Sequence, residues 1–278
     1  MQLRPQSNNV RLGISSWTFP WAIGVRGYPQ PVRPLRLSDL LDRAAALKVQ
    51  VLQIADNLPL HKFDLGEIRD VRDQAATLGI KIEIGTRGVE PGHLLRYLRL
   101  ALELDAVLVR TLTHTAESQP SLDQTEQWIR KVLPQFEANG VVLGLENYEA
   151  HSCCALAALV RRLDSRWVGI CLDTVNSFGA LEPPEGVVQT LAALTVNLHV
   201  KDFVIERAPY KMGFVVRGTP AGSGRLDIPW LLKQMRADDI SAILEQWPPP
   251  QDSVETTIAM EQDWAERGVQ YLRSCGCT

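Results

Sequence analysis

Four side chains able to bind a metal or move a proton stand at one recurring position in this chain, the residue that ends a short apolar run. Val141 to Leu145 leads into Glu146 in the stretch V-V-L-G-L-E-N-Y, and Trp167 to Leu172 leads into Asp173. Thr195 to Leu198 leads into His199, and Ile240 to Leu244 leads into Glu245. Each run has the composition of a strand buried on both faces. A charge directly after such a strand lies where an α/β sheet or barrel opens toward ligands. Taken singly, each residue has a plainer reading. Asp173 caps the next turn, Glu146 is a loop carboxylate, Glu245 makes a rim salt bridge, and His199 is a hydrogen-bonded structural histidine. Taken together, three converging carboxylates repel one another unless a cation joins them. Carboxylate oxygens with one imidazole suit a single divalent ion, Mn²⁺, Mg²⁺, Co²⁺ or Zn²⁺.

Several neighbours are candidates for holding a substrate. Lys201 follows His199 by two positions and leans the same way if the strand continues. Asn176 lies three past Asp173. Trp17 and Phe19, just past the first strand, offer an apolar wall for a sugar ring. Arg110 at the tip of the fourth strand either binds a substrate oxygen or pairs with Glu83 or another carboxylate. The glycine-rich Arg217 to Gly224 has no helix N-terminus behind it at phosphate-binding spacing, which weighs against a phosphate loop. His61, His93, His114 and His151 show no ligand spacing.

The elements that must position these residues alternate throughout. The predicted strands are 10–15, 49–55, 80–85, 106–111, 141–146, 167–173, 195–199 and 240–245. Between them run a Pro- and Gly-rich loop from Pro20 to Pro34 and helices from Ser38–Asp39 to Lys48, Asp64 to Leu78, Pro91 to Leu104, Ser121 to Ala138, Cys153 to Leu163 and Glu185 to Leu194. A long loop covers Lys201 to Asp227. A helix from Ile228 to Arg236 precedes the last strand, and one from Ser253 to Arg273 closes the chain. About eight β–α units in one series predict an α/β fold, a (β/α)8 barrel, with residues 1–278 as a single domain. A doubly wound open sheet is the alternative, but no edge or crossover switch marks it.

Composition fits that fold. The chain has 278 residues, 45% hydrophobic and 22% charged, with a net charge of −3. A large core is available, and no basic run suggests nucleic acid. No apolar run is long enough to span a membrane, and Met1 to Asn9 lacks a signal core, so a cytoplasmic protein is expected. Five cysteines, two adjacent and one inside a strand, do not make a disulfide framework. Cys275-Gly-Cys277 reads as a loose tail more readily than as a soft-metal site. A homodimer is compatible with a barrel, but the chain does not fix its oligomeric state.

L-E-N at 145–147, C-L-D-T-V-N at 171–176, L-H-V-K-D at 198–202, G-S-G-R-L-D-I-P at 222–229 and L-E-Q at 244–246 resemble the xylose-isomerase-like barrel superfamily. The likeness is to its sugar phosphate isomerase/epimerase group, which includes ketose 3-epimerases, hydroxypyruvate isomerases and inosose dehydratases. It covers most of the chain, in order. It implies that Glu146, Asp173, His199 and Glu245 ligate one divalent metal, with Glu146 and Glu245 doubling as the acid/base pair. It also implies a small sugar, keto-sugar or polyol substrate and a metal-held cis-enediolate. Return of the proton to the same carbon gives epimerisation, return to the neighbouring carbon gives isomerisation, and loss of a β-hydroxyl gives dehydration. A retro-type lyase is a further branch, and a carbohydrate binder without turnover is a rival. A glutamate with an ordinary pKa of ~4.3 is a weak base near neutrality, so a closed, dry pocket is expected. Endonuclease IV, a three-zinc DNA-repair enzyme of the same superfamily, uses extra histidines. Asn176 stands at one of those places, and no Asp-x-His lies between His199 and Glu245.

Overall fold

The computed structural model describes residues 10–235 and 240–278. Met1 to Asn9, and Arg236 at the end of the predicted penultimate helix, lie outside the described residues. In chain order the elements are β1 (Arg11–Ser15), α1 (Pro20–Ile23), α2 (Leu37–Ala46), β2 (Val51–Ile54), α3 (Leu65–Leu78), β3 (Lys81–Arg87), α4 (Pro91–Glu103), β4 (Leu108–Leu112), α5 (Leu122–Ala138), β5 (Val142–Glu146), α6 (Cys153–Leu163), β6 (Val168–Asp173), α7 (Pro184–Leu191), β7 (Thr195–Val200), β8 (Asp202–Arg207), β9 (Phe214–Thr219), α8 (Ile228–Gln234), β10 (Ser241–Leu244) and α9 (Val254–Ser274). Eight strands close a parallel barrel in the order β1-β10-β7-β6-β5-β4-β3-β2, as predicted, and the hairpin β8–β9 stands outside it.

Side chains alternate along each strand, so every barrel strand has an outward and an inward set. The outward set, Leu12, Ile14, Leu52, Ile54, Ile82, Ile84, Leu143, Leu145, Leu172, Leu198 and Leu244, packs under the helices as one apolar core. The inward set mixes apolar side chains such as Val51 and Ile243 with a group of polar ones. Gln53, Glu83, Asn197 and Ser241 are all buried and fill a lower layer of the barrel. Above them lie the strand tips that carry Glu146, Asp173, His199 and Glu245. The β6–β7 register sets Asp173 beside His199, and β10–β7 sets Ile243 beside His199, which brings Glu245 to the rim one step higher.

Four local expectations are corrected. The loop after β1 contains the short helix α1, capped from a distance: the Glu261 carboxylate accepts from Trp21 N at 2.6 Å and Ala22 N at 3.0 Å. Helix α2 begins at Leu37 rather than at a Ser38 cap, because the Asp39 carboxylate reaches back to Arg36 N at 2.9 Å. The long loop after β7 contains an antiparallel hairpin pairing Asp202 with Thr219 through Arg207 with Phe214. At its base, a Cβ on Gly218 would lie 2.9 Å from the Trp247 indole, so the lack of a side chain lets Trp247 lie flat against β9. The C-terminal tail is not loose. Leu12 N donates to Thr278 O at 2.6 Å, Thr278 N donates to Val10 O at 2.9 Å, and Cys277 is buried.

Candidate metal centre

Glu146, Asp173, His199 and Glu245 converge at the C-terminal mouth of the barrel, all buried. His199 Nδ1 is the hub. It lies 3.5 Å from Glu245 Oε2, 3.6 Å from Glu146 Oε1 and 3.8 Å from Asp173 Oδ2. Ligands bound about 2.0–2.2 Å from one ion stand roughly 3–3.6 Å apart, close to these separations. Nδ1 is buried and has no hydrogen-bond partner, while a buried polar nitrogen ordinarily finds one. Asp173, His199 and Glu245 each bring a ligand atom within 4.8 Å of the others, and Glu146 forms a second such group with Cys171 about the same His199; hard oxygen donors with one imidazole suit the metals named from the sequence.

Each carboxylate divides its two oxygens between this cage and a support. Asp173 Oδ1 accepts from Val175 N and Asn176 N, both at 2.8 Å, so the turn-capping role and the cage role coexist in one side chain. Glu245 Oε1 accepts from Ser15 Oγ at 2.9 Å. Glu146 Oε2 lies 2.8 Å from Arg110 Nε, and its Oε1 accepts from Asn176 Nδ2 at 2.7 Å. Lys201 Nζ lies 2.7 Å from Asp173 Oδ2 and 3.0 Å from Glu245 Oε2, and donates to Asn176 Oδ1 at 3.3 Å.

Between protein groups alone, burial pushes the Glu245 carboxyl up, but His199, Lys201 and Arg110 together outweigh it and hold the group at about 2. Glu146 is likewise lowered, with Arg110 and then His199 overcoming burial. Asp173 is raised by burial, and by repulsion from Glu146 and Glu245 that Lys201 only partly offsets. Burial lowers the Lys201 ammonium, but Asp173 and Glu245 prevail and raise it. Burial lowers His199 too, yet Glu245 and Glu146 raise it on balance, and a proton and a metal compete for one imidazole lone pair.

Above the cage opens a pocket of about 320 Å³. Trp17, Asn176, Lys201 and Arg110, singled out from the sequence, all border it, together with Asp56, Arg87, Val175 and Trp247. Phe19 does not: it is fully buried, with the Arg43 guanidinium over its ring. Arg110 does not pair with Glu83; its guanidinium goes to Glu146, to Asp56 at 3.2 Å and to the Thr86 carbonyl at 3.3 Å. Ser15, Gln53, Asp56 and Arg87 are functional neighbours beyond the sequence reading, although the strand-tip rule used on the later strands points to Asp56 and Arg87 on the earlier ones. Asp56 gathers the wall of the pocket, accepting from Trp17 Nε1 at 3.1 Å and facing Arg87 Nε at 3.4 Å.

The other candidates have local partners. The glycine-rich 217–224 stretch wraps an anion of its own chain: Gly222 N and Gly224 N donate to Asp202 Oδ2 at 2.9 and 2.8 Å, and Leu226 N donates to Oδ1 at 3.1 Å. His61 bonds Tyr97, His93 bonds Thr86, His151 bonds Thr113 and His114 bonds the Pro120 carbonyl. Among the described residues, no helix is long and apolar enough to cross a membrane.

Comparison with known proteins agrees with this architecture. A 3-oxo-isoapionate decarboxylase from Pectobacterium atrosepticum is 36% identical over 265 residues, covering 95% of each protein. The structure of a D-psicose 3-epimerase with D-tagatose from Clostridium cellulolyticum H10 matches with a TM-score of 0.71 at 16% identity, over 97% of this chain and 100% of that one. A barrel protein from Mycobacterium smegmatis in complex with magnesium matches at 0.65 and 15% identity, over 98% of this chain and 99% of that one. At those identities the two structures bear on the fold alone. The family model described as xylose isomerase-like TIM barrel matches residues 41–275, and this chain belongs to that family.

Proposed function

We propose that this protein is a divalent-metal-dependent lyase that decarboxylates a 3-oxo sugar acid. The observation that carries the reading is the charge of the pocket. Asp56, Glu146 and Glu245 on the pocket wall, with Asp173 in the cage beneath, face Arg87, Arg110 and Lys201, leaving one negative charge in excess over pocket and cage together. A divalent ion reverses that to one positive charge, which matches a monoanionic substrate better than a neutral ketose. The 36%-identical relative, whose name puts a ketone two carbons from a carboxylate, supports the same substrate class.

Glu146, Asp173, His199 and Glu245 would hold the ion. When bound, it supplies Lewis-acid polarisation of a ketone oxygen. In a 3-oxo acid the bond between the carboxylate carbon and the α-carbon breaks, and its electron pair passes to the α-carbon and ketone as an enolate. Carbon dioxide leaves, and the α-carbon takes up one proton, so no oxidant is required. No base has to remove a proton from carbon. Lys201 Nζ is the proton-bearing group beside the cage, and Asn176, which borders the pocket, would bind a substrate hydroxyl. Arg87 at the mouth attracts the carboxylate, while Trp17 and Trp247 form the apolar wall that excludes water.

The second reading is the sugar epimerase or isomerase with Glu146 and Glu245 as acid/base pair. Their closeness to His199 Nδ1, 3.6 and 3.5 Å, supports it. The test is to supply the Mn²⁺-loaded protein with a freshly generated 3-oxo sugar acid and, separately, with ketoses and inososes, in D₂O under ¹³C and ¹H NMR. Metal-dependent CO₂ release with one deuterium at the former α-carbon is expected. Deuterium entering neutral ketoses without CO₂ release would replace the lyase with the epimerase, and water loss would point to a dehydratase. Tight sugar binding with none of these would leave a carbohydrate-binding barrel.

A further inference from the structure

The polar layer beneath the cage occupies a place where apolar side chains ordinarily fill a barrel. Its centre is Glu83, a buried carboxylate whose oxygens accept from three neighbours. Oε1 accepts from Ser241 Oγ at 2.5 Å, and Oε2 from Gln53 Nε2 at 3.1 Å and Asn197 Nδ2 at 3.0 Å. Burying such a group costs free energy unless every donor and acceptor is matched, so its presence points to an orienting role.

The orientation can be followed atom by atom. Asn197 Nδ2 donates to Glu83 Oε2 and, at 2.7 Å, to Ser241 Oγ, which leaves Asn197 Oδ1 as an acceptor. That oxygen accepts from Gln53 Nε2 at 3.1 Å and from Cys171 Sγ at 3.1 Å. Both hydrogens of the Gln53 amide nitrogen are thus directed at oxygens. A flipped amide would set oxygen against oxygen twice. Gln53 Oε1 must then face His199 Nε2, which lies 2.8 Å away, and an amide oxygen only accepts. His199 therefore carries a proton on Nε2, and in the neutral ring the Nδ1 lone pair is turned toward Glu146, Asp173 and Glu245.

We propose that Gln53, oriented by Glu83 and Asn197, fixes His199 as an Nδ1 ligand, so that Gln53 and Glu83 are positioning residues of the metal centre. The proposal rests on the reading that the cage binds a divalent ion. It assigns a purpose to a costly layer that touches neither substrate nor metal.

The experiment uses Zn²⁺ alone as probe. Wild type, Gln53→Met and Glu83→Gln are titrated calorimetrically, and the Zn²⁺-loaded proteins are examined by ¹⁵N-histidine NMR. In wild type, His199 shows its proton on Nε2 and zinc on Nδ1. Gln53→Met, which keeps the side-chain bulk but removes the acceptor, binds Zn²⁺ roughly 10–100-fold more weakly, the range reached when an outer hydrogen-bond partner of a metal ligand is lost. Glu83→Gln moves in the same direction by a smaller amount, because its single oxygen cannot accept from the Ser241 hydroxyl and from the two amides at once. A merely structural layer would lower the melting temperature of the metal-free protein without changing the ¹⁵N pattern. Wild-type affinity in folded Gln53→Met, or a proton on Nδ1 in Zn²⁺-loaded wild type, overturns the proposal. If Gln53→Met does not fold, the wild-type spectrum and Glu83→Gln decide. Wild type that takes up no Zn²⁺ overturns the cage reading and the proposal with it, whereas intact binding with the wrong tautomer overturns the proposal alone.

Discussion

The two halves of the barrel do different work. Strands β5, β6, β7 and β10 deliver Glu146, Asp173, His199 and Glu245, the side chains that face one another across the cage. Strands β1 to β4 deliver Ser15, Gln53, Glu83 and Arg110. Ser15 and Gln53 touch one cage residue each, Arg110 lies 2.8 Å from Glu146 and 4.0 Å from Glu245, and Glu83 acts through Gln53. On the proposed reading, one half would supply the ligands and the other would hold them still. A carboxylate with one oxygen in the cage and the other tied to a fixed donor cannot swing away when an ion leaves. Such preorganisation lowers the cost of binding.

The comparison breaks most visibly if a residue of the ligand half proves dispensable. Asp173→Asn keeps the oxygen that caps the 175–176 turn and sets an amide nitrogen toward Lys201 and His199 in place of Oδ2. Metal affinity should fall by more than about 100-fold, beyond what loss of an outer partner produces, and turnover should fall with it. Calorimetric titration with Mn²⁺ reads the first and CO₂ release the second. An Asp173→Asn protein that binds Mn²⁺ like wild type would remove Asp173 from the ligand set.

Arg110 tests the holding half by stability. Its guanidinium is buried between Glu146 and Asp56, and Arg110→Met leaves Glu146 buried without its cation. Removing one partner of a buried pair costs about 3–5 kcal/mol. For a chain of this size that lowers the melting temperature of the metal-free protein by roughly 10 °C. Saturating Mn²⁺ should recover part of the loss, since the ion replaces the missing positive charge. An unchanged melting temperature, measured calorimetrically in the presence of a chelator, would show that Arg110 is not the counter-charge the geometry suggests.

The same division explains what could be read from the sequence. The ligand half announces itself locally: an apolar run, then a charge, in four places, with Lys201 and Asn176 close behind. The eight barrel strands were visible for the same reason, since apolar runs and helical spacing are local signals. The holding half is not local. Ser15 meets Glu245 across 230 positions, Gln53 meets His199 across 146, and Glu83 meets Ser241 across 158. Only closure of the barrel brings them together, and a serine or glutamine at a strand end carries no signature by itself. The hairpin β8–β9 was hidden differently. Tyr210, Met212 and Phe214 near its tip are exposed, so its strands lack the alternation that burial on one face imposes. Asp202, read as part of a family motif, turns out to anchor the glycine-rich turn that follows the hairpin.

The finest distinction between the halves lies at Ser15, which links a cage carboxylate to the turn that bears the pocket wall. Its Oγ donates to Glu245 Oε1 at 2.9 Å and accepts from Trp17 N at 2.9 Å, capping the turn that carries the Trp17 indole to the pocket. Ser15→Ala removes both bonds. Loss of a cap and of a hydrogen bond to a charged group together cost about 1–3 kcal/mol. The metal-free melting temperature should drop by roughly 2–9 °C, less than for Arg110→Met because no charge is stranded. Metal affinity should weaken about tenfold, because Glu245 then holds only its cage-side contacts and must be ordered by the ion itself. Ser15→Thr retains the oxygen and should recover the affinity even if its extra methyl costs some stability beside Glu245. If Ser15→Ala lowers the melting temperature but leaves Mn²⁺ affinity unchanged, Ser15 supports the Trp17 turn alone. The orientation of Glu245 would then rest on Lys201, from within the ligand half itself.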